Sequence, residues 1–294
     1  MIRIGVDLGG TKIEAVALDE QGKVLCRERI STEQEGGYRH ILNRVKQLVA
    51  TFSELCSAEE FTLGIGTPGA VSYETGFLKN SNTACLNKKP FKKDLQEILK
   101  RDFSVENDAN CFAMAEAAYG AGRGKDMVFG VIMGTGCGGG IVYRGKLWQG
   151  LQAIAGEWGH MSIDPKGPEC YCGQRGCVET FVSGGGLQRL YLKEFGQVRC
   201  LEDIVSDYRK GVVESTQFMK AFFENFGRAM ANLISVLDPD IIVMGGGVSN
   251  IDEIYSLGVA AVERKIFSDR LRTPIVKHAL GDSAGVLGAA LIGI

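Results

Sequence analysis

Residues 2–8, Ile-Arg-Ile-Gly-Val-Asp-Leu, form a largely apolar run that stops at Gly9-Gly10, which predicts a buried strand. Residues 12–18 predict a second strand, Asp19-Glu20-Gln21-Gly22 a turn, and 23–30 a third strand. This is an antiparallel meander with a glycine hairpin at its first corner. Ile41, Leu42, Val45, Leu48, Val49 and Phe52 then recur every three or four residues and predict an amphipathic helix over 38–56. A strand over 62–66 and helices over 91–102 and 109–119 follow.

The pattern recurs in the second half. Gly130-Val131-Ile132-Met133-Gly134-Thr135-Gly136 repeats Gly5-Val6-Asp7-Leu8-Gly9-Gly10-Thr11 at an offset of 125, and a Gly-Lys turn follows each copy (Gly22-Lys23, Gly145-Lys146). Residues 148–180 are irregular. Helices are expected at 186–195, 200–210 and 216–237, the last broken by Asp238-Pro239-Asp240. Ile241-Ile242-Val243-Met244 predicts a short buried strand entering Gly245-Gly246-Gly247. A helix over 251–266, a strand over 274–280 and a helix over 282–293 complete the chain. Strands alternating with helices in two similar halves argue for a duplicated α/β fold. No low-complexity linker separates the halves, so two domains around a cleft are expected. One covers 1–118, with the C-terminal helix 282–294 packing back on it, and the larger covers 119–281.

Composition narrows the function. The 294 residues carry 33 basic and 35 acidic side chains, a net charge of −2, which gives no reason to expect nucleic acid or an anionic membrane as partner. The chain opens without a secretory signal, and no stretch reaches the ~18 apolar residues of a membrane span. A cytoplasmic protein is expected. Glycine, 40 residues, stands at about twice its ordinary share of ~7% and is clustered, as in loops that approach a ligand closely. The nine cysteines do not form a disulfide scaffold in a chain of this length. Three of them are bunched at Cys170, Cys172 and Cys177.

The pattern G-x-G-x-x-G occurs at Gly64, Gly66 and Gly69 and again at Gly134, Gly136 and Gly139. Neither copy leads into a helix, so neither predicts a dinucleotide site. A glycine turn between antiparallel strands instead points backbone N–H groups into a shallow anion-binding nest. One such turn could be an ordinary hairpin corner; a matched pair suggests a polyphosphate held from both halves. Thr11 and Thr135 add hydroxyls, and Lys12 a charge.

Asp7-Leu8-Gly9-Gly10-Thr11-Lys12 resembles the first phosphate motif of the actin-like (ribonuclease H-like) sugar kinases. Gly134-Thr135-Gly136-Cys137-Gly138-Gly139-Gly140 resembles their second, and Gly245-Gly246-Gly247-Val248-Ser249 their adenosine motif. Gly156-Glu157-Trp158-Gly159-His160, followed by the run from Cys170 through Cys172, Gly173, Gly176 and Cys177 to Glu179, resembles the signature of the ROK family (repressors, open reading frames, kinases). The resemblance runs in order along the whole chain. It implies ATP with Mg²⁺, Asp7 facing the metal–nucleotide, and nucleotide contacts from Gly9, Gly10, Thr11, Lys12, Gly134, Thr135, Gly136, Gly246 and Gly247.

Glu106-Asn107-Asp108-Ala109-Asn110 precedes an apolar-faced helix. Capping alone would account for one Asp or Asn there; the resemblance makes Asp108 the carboxylate that takes the proton of an attacking sugar hydroxyl. Three thiols and His160, ten residues before Cys170, suit a tetrahedral structural zinc, though three reduced cysteines in a loop would give the same spacing. The resemblance favours Zn²⁺ on His160, Cys170, Cys172 and Cys177. It implies a sugar held by Asn82, Asn107, Asp108, Glu157, His160 and Glu179. The glycine turns lie on other segments than the cysteine loop, so loosening that loop is expected to weaken the sugar and spare the nucleotide.

The expected activity is phosphorylation of a hexose at O6. Leu78–Thr83 with Leu86-Asn87, Glu179-Thr180-Phe181 and Gly281–Val286 resemble the fructokinase or manno-fructokinase branch, which implies fructose or mannose. An N-acetylglucosamine or other N-acetylhexosamine kinase is the alternative. A non-catalytic sugar sensor or repressor is disfavoured, because the six residues before Asp7 are too few for a helix-turn-helix. A small-molecule sugar is the expected partner, and a homodimer the assembly the resemblance implies.

Overall fold

The computed structural model describes residues 1–55, 60–72, 74–81 and 83–293. Strands β1 (Ile2–Leu8), β2 (Lys12–Leu18) and β3 (Val24–Ser31) form the meander, and α1 (Gly37–Leu55) follows. Next come β4 (Phe61–Thr67), the short pair β5 (Ala70–Val71) and β6 (Leu78–Lys79), α2 (Phe91–Leu99), β7 (Ser104–Asn107) and α3 (Asp108–Ala118). The second half holds β8 (Met127–Met133), β9 (Cys137–Tyr143), β10 (Lys146–Leu147), α4 (Val178–Val182), α5 (Gly184–Phe195), α6 (Leu201–Arg209) and α7 (Val213–Leu237). It ends with β11 (Ile241–Gly245), α8 (Leu257–Glu263), β12 (Ile275–Lys277) and α9 (Ala284–Ile292).

Two five-stranded sheets have the same plan. The first runs β3-β2-β1-β4-β7 and the second β10-β9-β8-β11-β12, each with two antiparallel pairings followed by two parallel ones. The internal repeat is therefore a repeat of topology: the actin-like duplicated α/β fold. The chain divides into two compact units. One comprises Met1–Tyr119, Leu151–Ala153 and the chain from Leu280 on; the other comprises Gly120–Gly150 and Ile154–Ala279. The three-residue return to the first unit, at Leu151–Ala153, falls in the stretch whose sequence has no period.

In the first unit β2 is buried on both faces. Ile13, Ala15 and Ala17 join the core that α1 covers, while Val16 and Leu18 pack with Val286 and Ala290 of α9. This explains why β2 reads as an apolar run and not as strict alternation. The edge strand β3 carries Arg27, Glu28 and Arg29 and is largely exposed, a composition that discourages further strand pairing. Helix α9 lies so close to β1 and β4 that a Cβ at Gly5 would stand 2.4 Å from the Ala290 nitrogen, and one at Gly64 2.0 Å from the Ala289 oxygen. The first G-x-G-x-x-G match is thus largely a packing surface. In the second unit, Phe129, Val131 and Met133 of β8 pack in one cluster with Phe218, Phe222, Phe226 and Met230 of the 25-residue α7.

One strand is unexpected, and two expected elements differ. The strand β7 is absent from the sequence pattern, because Ser-Val-Glu-Asn offers one apolar residue and its strand state comes from pairing with β4. The helix expected over 251–266 is a 3₁₀ turn at Asp252–Tyr255 followed by α8. The strand expected over 274–280 is only Ile275–Lys277. Among the described residues no helix is long and apolar enough to cross a membrane.

Candidate functional site

Parallel strands deliver their side chains to the carboxyl end of the sheet, where α/β folds place ligands. In the first unit β1 ends beside Asp7 and β7 ends at Asn107, so Asp7, Asn107 and Asp108 come to that end. Asn107 caps α3, its Oδ1 accepting the Asn110 N–H at 2.7 Å. Asp108, exposed at the first turn, accepts the Ala109 N–H at 2.9 Å. The cap is thus made by Asn107, and Asp108, next to it, leaves its second carboxylate oxygen outside that bond. The Asn110 side chain donates to Glu106 Oε2 at 2.7 Å and steadies the segment.

Asp7 is half-buried, and its surroundings are negative. Burial first, then the charges of Asp108 and Glu14, push its carboxyl up to about 6, against the pull of Lys12 and Arg29. The seat is tight: a Cβ at Gly285, near the start of α9, would stand 2.7 Å from Asp7 Oδ2. Beneath lies Cys111, whose thiol is pushed well up by burial and by Asp7, Glu106 and Asp108. This concentration of carboxylates suits a bound cation.

Sequence reasoning missed Glu14, and used Gly285 only within the Gly281–Val286 resemblance. Glu14 is buried on β2 opposite Asp7, paired with Arg27 and, at 2.8 Å, with Arg29. Arg27 also donates to Ser283 Oγ at 2.7 Å. Only the sheet register, which places Glu14 across from Arg29, could have revealed the network.

The first glycine turn, Gly9–Lys12, closes with the Gly9 N–H on the Lys12 carbonyl at 2.9 Å. Buried Thr32 ties it from below, its N–H to the Thr11 carbonyl at 3.0 Å and its hydroxyl to the Gly9 carbonyl at 2.8 Å. Thr11 is exposed at the tip.

The second unit repeats the device. The Gly134 N–H donates to the Gly136 carbonyl at 2.9 Å, with Thr135 exposed. Here the start of α5 holds the turn: the Gly184 and Gly185 N–H groups donate to the Gly134 and Thr135 carbonyls at 2.8 and 3.2 Å. Gly246 follows β11 at φ +79°, and a Cβ there would stand 2.4 Å from the Met133 carbonyl. Only glycine meets both demands. Next to Gly247 lies a cavity of about 460 Å³, lined by Leu201, Val205 and Arg209 of α6, by Lys210 just after it and by Asn250. That volume falls in the ~300–1,000 Å³ range of small-molecule sites.

Beside the second turn, the 3₁₀ segment Trp158–His160 is fixed by the Trp158 indole N–H donating to the Gly138 carbonyl at 2.8 Å. It carries half-buried Glu157 and His160. Glu179, buried on α4, accepts the Cys137 backbone N–H on Oε2 at 2.9 Å. This bond bears on the expectation that loosening the cysteine loop spares the nucleotide, because Glu179 follows the last cysteine by two residues. The cysteine loop and the second glycine turn are far apart in sequence but joined by a buried hydrogen bond.

His160, Cys170, Cys172 and Cys177 bring their donor atoms within 4.8 Å of one another. Cys170 Sγ lies 3.7 Å from His160 Nδ1, and Cys172 Sγ 3.6 Å from Cys177 Sγ. These match the edges of about 3.4–3.8 Å that tetrahedral zinc, with bonds near 2.1 and 2.3 Å, would require. Burial raises the Cys170 and Cys177 thiols, while the Gln174 N–H lowers Cys172. So tight a thiol cluster ionises together only with a cation at its centre. At Gly176 the backbone is at φ +65° and a Cβ would stand 1.6 Å from the Asp164 carbonyl oxygen, so the loop folds only with glycine there. The donor set therefore fits zinc.

Tyr171, between two of the cysteines, puts its hydroxyl 3.1 Å from His160 Nε2. Burial, then Glu179, Cys170, Glu157 and Cys172, pushes that hydroxyl up to about 12. Both carboxylates thus act electrostatically on one spot. Asn82, the remaining expected sugar contact, lies outside the described residues.

Comparison with known proteins agrees with this geometry. The family model described as "ROK family" matches residues 3–293. An N-acetyl-D-glucosamine kinase from Histophilus somni is 36% identical over 300 residues, covering 98% of this chain and 97% of the relative. The crystal structure of a ROK hexokinase from Thermus thermophilus superposes with a TM-score of 0.92 at 29% identity, over 100% of this chain and 98% of that one. A ROK family glucokinase from Streptomyces griseus, solved with glucose and AMPPNP, has a TM-score of 0.77 at 30% identity, over 100% and 99%. With the duplicated fold, the paired glycine turns and the His–Cys₃ loop all in place, the chain belongs to the ROK family and stands among its sugar kinases.

Proposed function

We propose that this protein transfers the γ-phosphoryl group of ATP to O6 of an N-acetylhexosamine, N-acetylglucosamine in the first instance. What carries this reading is the near-full-length similarity to an N-acetyl-D-glucosamine kinase, combined with the Asp7–Asp108 pair at the strand ends. The fructose reading gives way. Two residues of its motif, Ser81 and Asn87, have a local structural use: Asn87 Oδ1 accepts the Ser81 N–H and Asn87 Nδ2 donates to the Ser81 carbonyl, both at 2.8 Å. Thr180 likewise donates to the Cys177 carbonyl at 2.7 Å.

Asp108 accepts the proton of the attacking hydroxyl, held in direction by the Ala109 N–H. Asp7 is the carboxylate toward a hydrated Mg²⁺. The glycine turns at Gly9–Lys12 and Gly134–Gly136 bind phosphate oxygens through backbone N–H groups, and the cavity beside Gly247 takes the adenosine. Mg²⁺·ATP supplies the phosphoryl group and neutralises the charge that develops on it; positioning does most of the rest. Glu157 and Glu179 accept hydrogen bonds from sugar hydroxyls as a pair at one wall, while His160, with Nδ1 turned to Cys170, offers only its Nε2–H, beside the Tyr171 hydroxyl. His160, Cys170, Cys172 and Cys177 would hold a structural zinc, which would fix that wall.

ADP release with N-acetylglucosamine, N-acetylmannosamine, N-acetylgalactosamine, glucose, mannose and fructose tests the reading. The highest kcat/KM is expected for N-acetylglucosamine. A higher value for fructose or mannose would restore the other branch, and no ADP release with any sugar would end the kinase reading.

A further inference from the structure

The link between Glu179 and Cys137 has a functional consequence. Glu179 follows Cys177 by two residues and lies on α4, which continues into α5. Its Oε2 accepts the backbone N–H of Cys137, the residue that closes the second glycine turn. The approach is close enough that a Cβ at Gly136 would stand 2.7 Å from the same oxygen. Two more bonds, from Gly184 and Gly185 to the carbonyls of Gly134 and Thr135, join the same helix pair to the same turn. A buried carboxylate that accepts a backbone N–H makes a charge-assisted bond, stronger than the neutral ones around it.

We propose that Glu179 is a positioning residue for the second phosphate turn as well as a sugar contact, so that sugar and nucleotide binding are coupled through one carboxylate. This rests on the kinase reading above. Oε2 orients the turn at Gly136-Cys137; Oε1 is the oxygen offered to a sugar hydroxyl. A sugar that donates to Oε1 fixes the carboxylate and with it the Cys137 N–H, so the turn meets the phosphates already in place. By linkage the effect is reciprocal: bound nucleotide tightens the sugar by the same factor.

Charge and contact must be separated, because removing a carboxylate near phosphates favours them by itself. Glu179→Asp keeps the charge and withdraws the acceptor by one methylene. Glu179→Gln removes the charge and keeps a carbonyl oxygen for Cys137. The readouts are the ADP dissociation constant by calorimetry, without and with saturating N-acetylglucosamine, and zinc content per chain. In the wild type, sugar is expected to tighten ADP about fivefold or more, the lower end of ordinary coupling. In Glu179→Asp, sugar-free ADP binding is expected to weaken about tenfold or more, the low end for losing a hydrogen bond to a charged group, and the sugar effect to disappear. In Glu179→Gln, ADP is held at least as tightly as in the wild type while sugar binding weakens. Zinc content at the wild-type level in both variants shows that the loop is intact. ADP binding by Glu179→Asp within about twofold of the wild type, with zinc retained, would overturn the proposal. If Glu179→Asp does not fold, ADP weakened in Glu179→Gln as much as the sugar is would overturn it. A wild type that binds no ADP would instead remove the kinase reading on which it rests.

Discussion

The hydroxyl of Tyr171 stands 3.1 Å from Nε2 of His160, on the far side of the imidazole from the nitrogen that faces Cys170. The two rings meet edge to face, with centroids 5.3 Å apart. Such an outer partner fixes which imidazole nitrogen is left for a metal and which way the ring points. Tyr171→Phe keeps the ring contact and removes the oxygen. It is expected to lower zinc affinity by about 10-fold or more, read by chelator competition. Unchanged zinc affinity would show that the hydroxyl only happens to lie there.

Asp108→Asn preserves shape and keeps an oxygen for the Ala109 N–H, so fold and sugar binding should survive. Turnover should fall by about 10²–10⁴-fold, as expected when a general base is lost. A kcat within about threefold of the wild type would remove Asp108 from that role.

Asp7 sets a pH dependence of stability. Its carboxyl sits at about 6 in the folded protein against an ordinary 3.8, so the native state holds a proton that the unfolded chain has released between those values. Stability therefore falls as pH rises from about 4 to 6, and the full cost, at most about 3 kcal/mol, applies above that window. Asp7→Asn removes the ionisation. In the absence of nucleotide and Mg²⁺ the variant should be more stable than the wild type at pH 7.5 and nearly equal to it at pH 4, by urea denaturation. A stability difference that does not change with pH would contradict this assignment.

Cys177→Ser should lose bound zinc and loosen the loop at its most buried ligand. Because Glu179 is two residues away and holds Cys137, sugar and ADP affinities should both decline, the sugar more steeply. Calorimetry with each ligand at a temperature where the variant stays folded decides this. Full ADP affinity alongside lost sugar binding would mean that the turn keeps its shape without the loop.

The parts of the site legible in the sequence are those built from contiguous residues. An apolar run ending in Gly9-Gly10 can be little other than a strand and a tight turn, and three cysteines within eight residues announce a cluster. Pairings between distant segments left little trace. β7 is a strand because β4 lies beside it, and Glu14 is tolerable in a core because Arg27 and Arg29 reach it from the next strand. The start of α5 is a more instructive case. Three consecutive glycines are poor helix formers, yet Ser183 caps them, its hydroxyl accepting the Gly186 N–H at 2.9 Å. Their bare backbone is what lets the second glycine turn come so near. The resemblance at Leu78–Thr83 and Leu86-Asn87 draws partly on residues with a local use, since Ser81 and Asn87 bond to each other.

The fit of α9 against β1 and β4 bears on how the chain is made. Ala284 lies 166 residues beyond Ala118, the last residue of α3, so one face of the first sheet emerges from the ribosome long before its cover. The groove on that face follows the backbone of α9, with Gly5 and Gly64 leaving room for no other side chain, so a neighbouring helix is a poor substitute. A nascent chain halted after α3 would carry an open apolar trough at Val16 and Leu18, the surface that chaperones hold and that aggregates share. The first unit begun is thus the last completed.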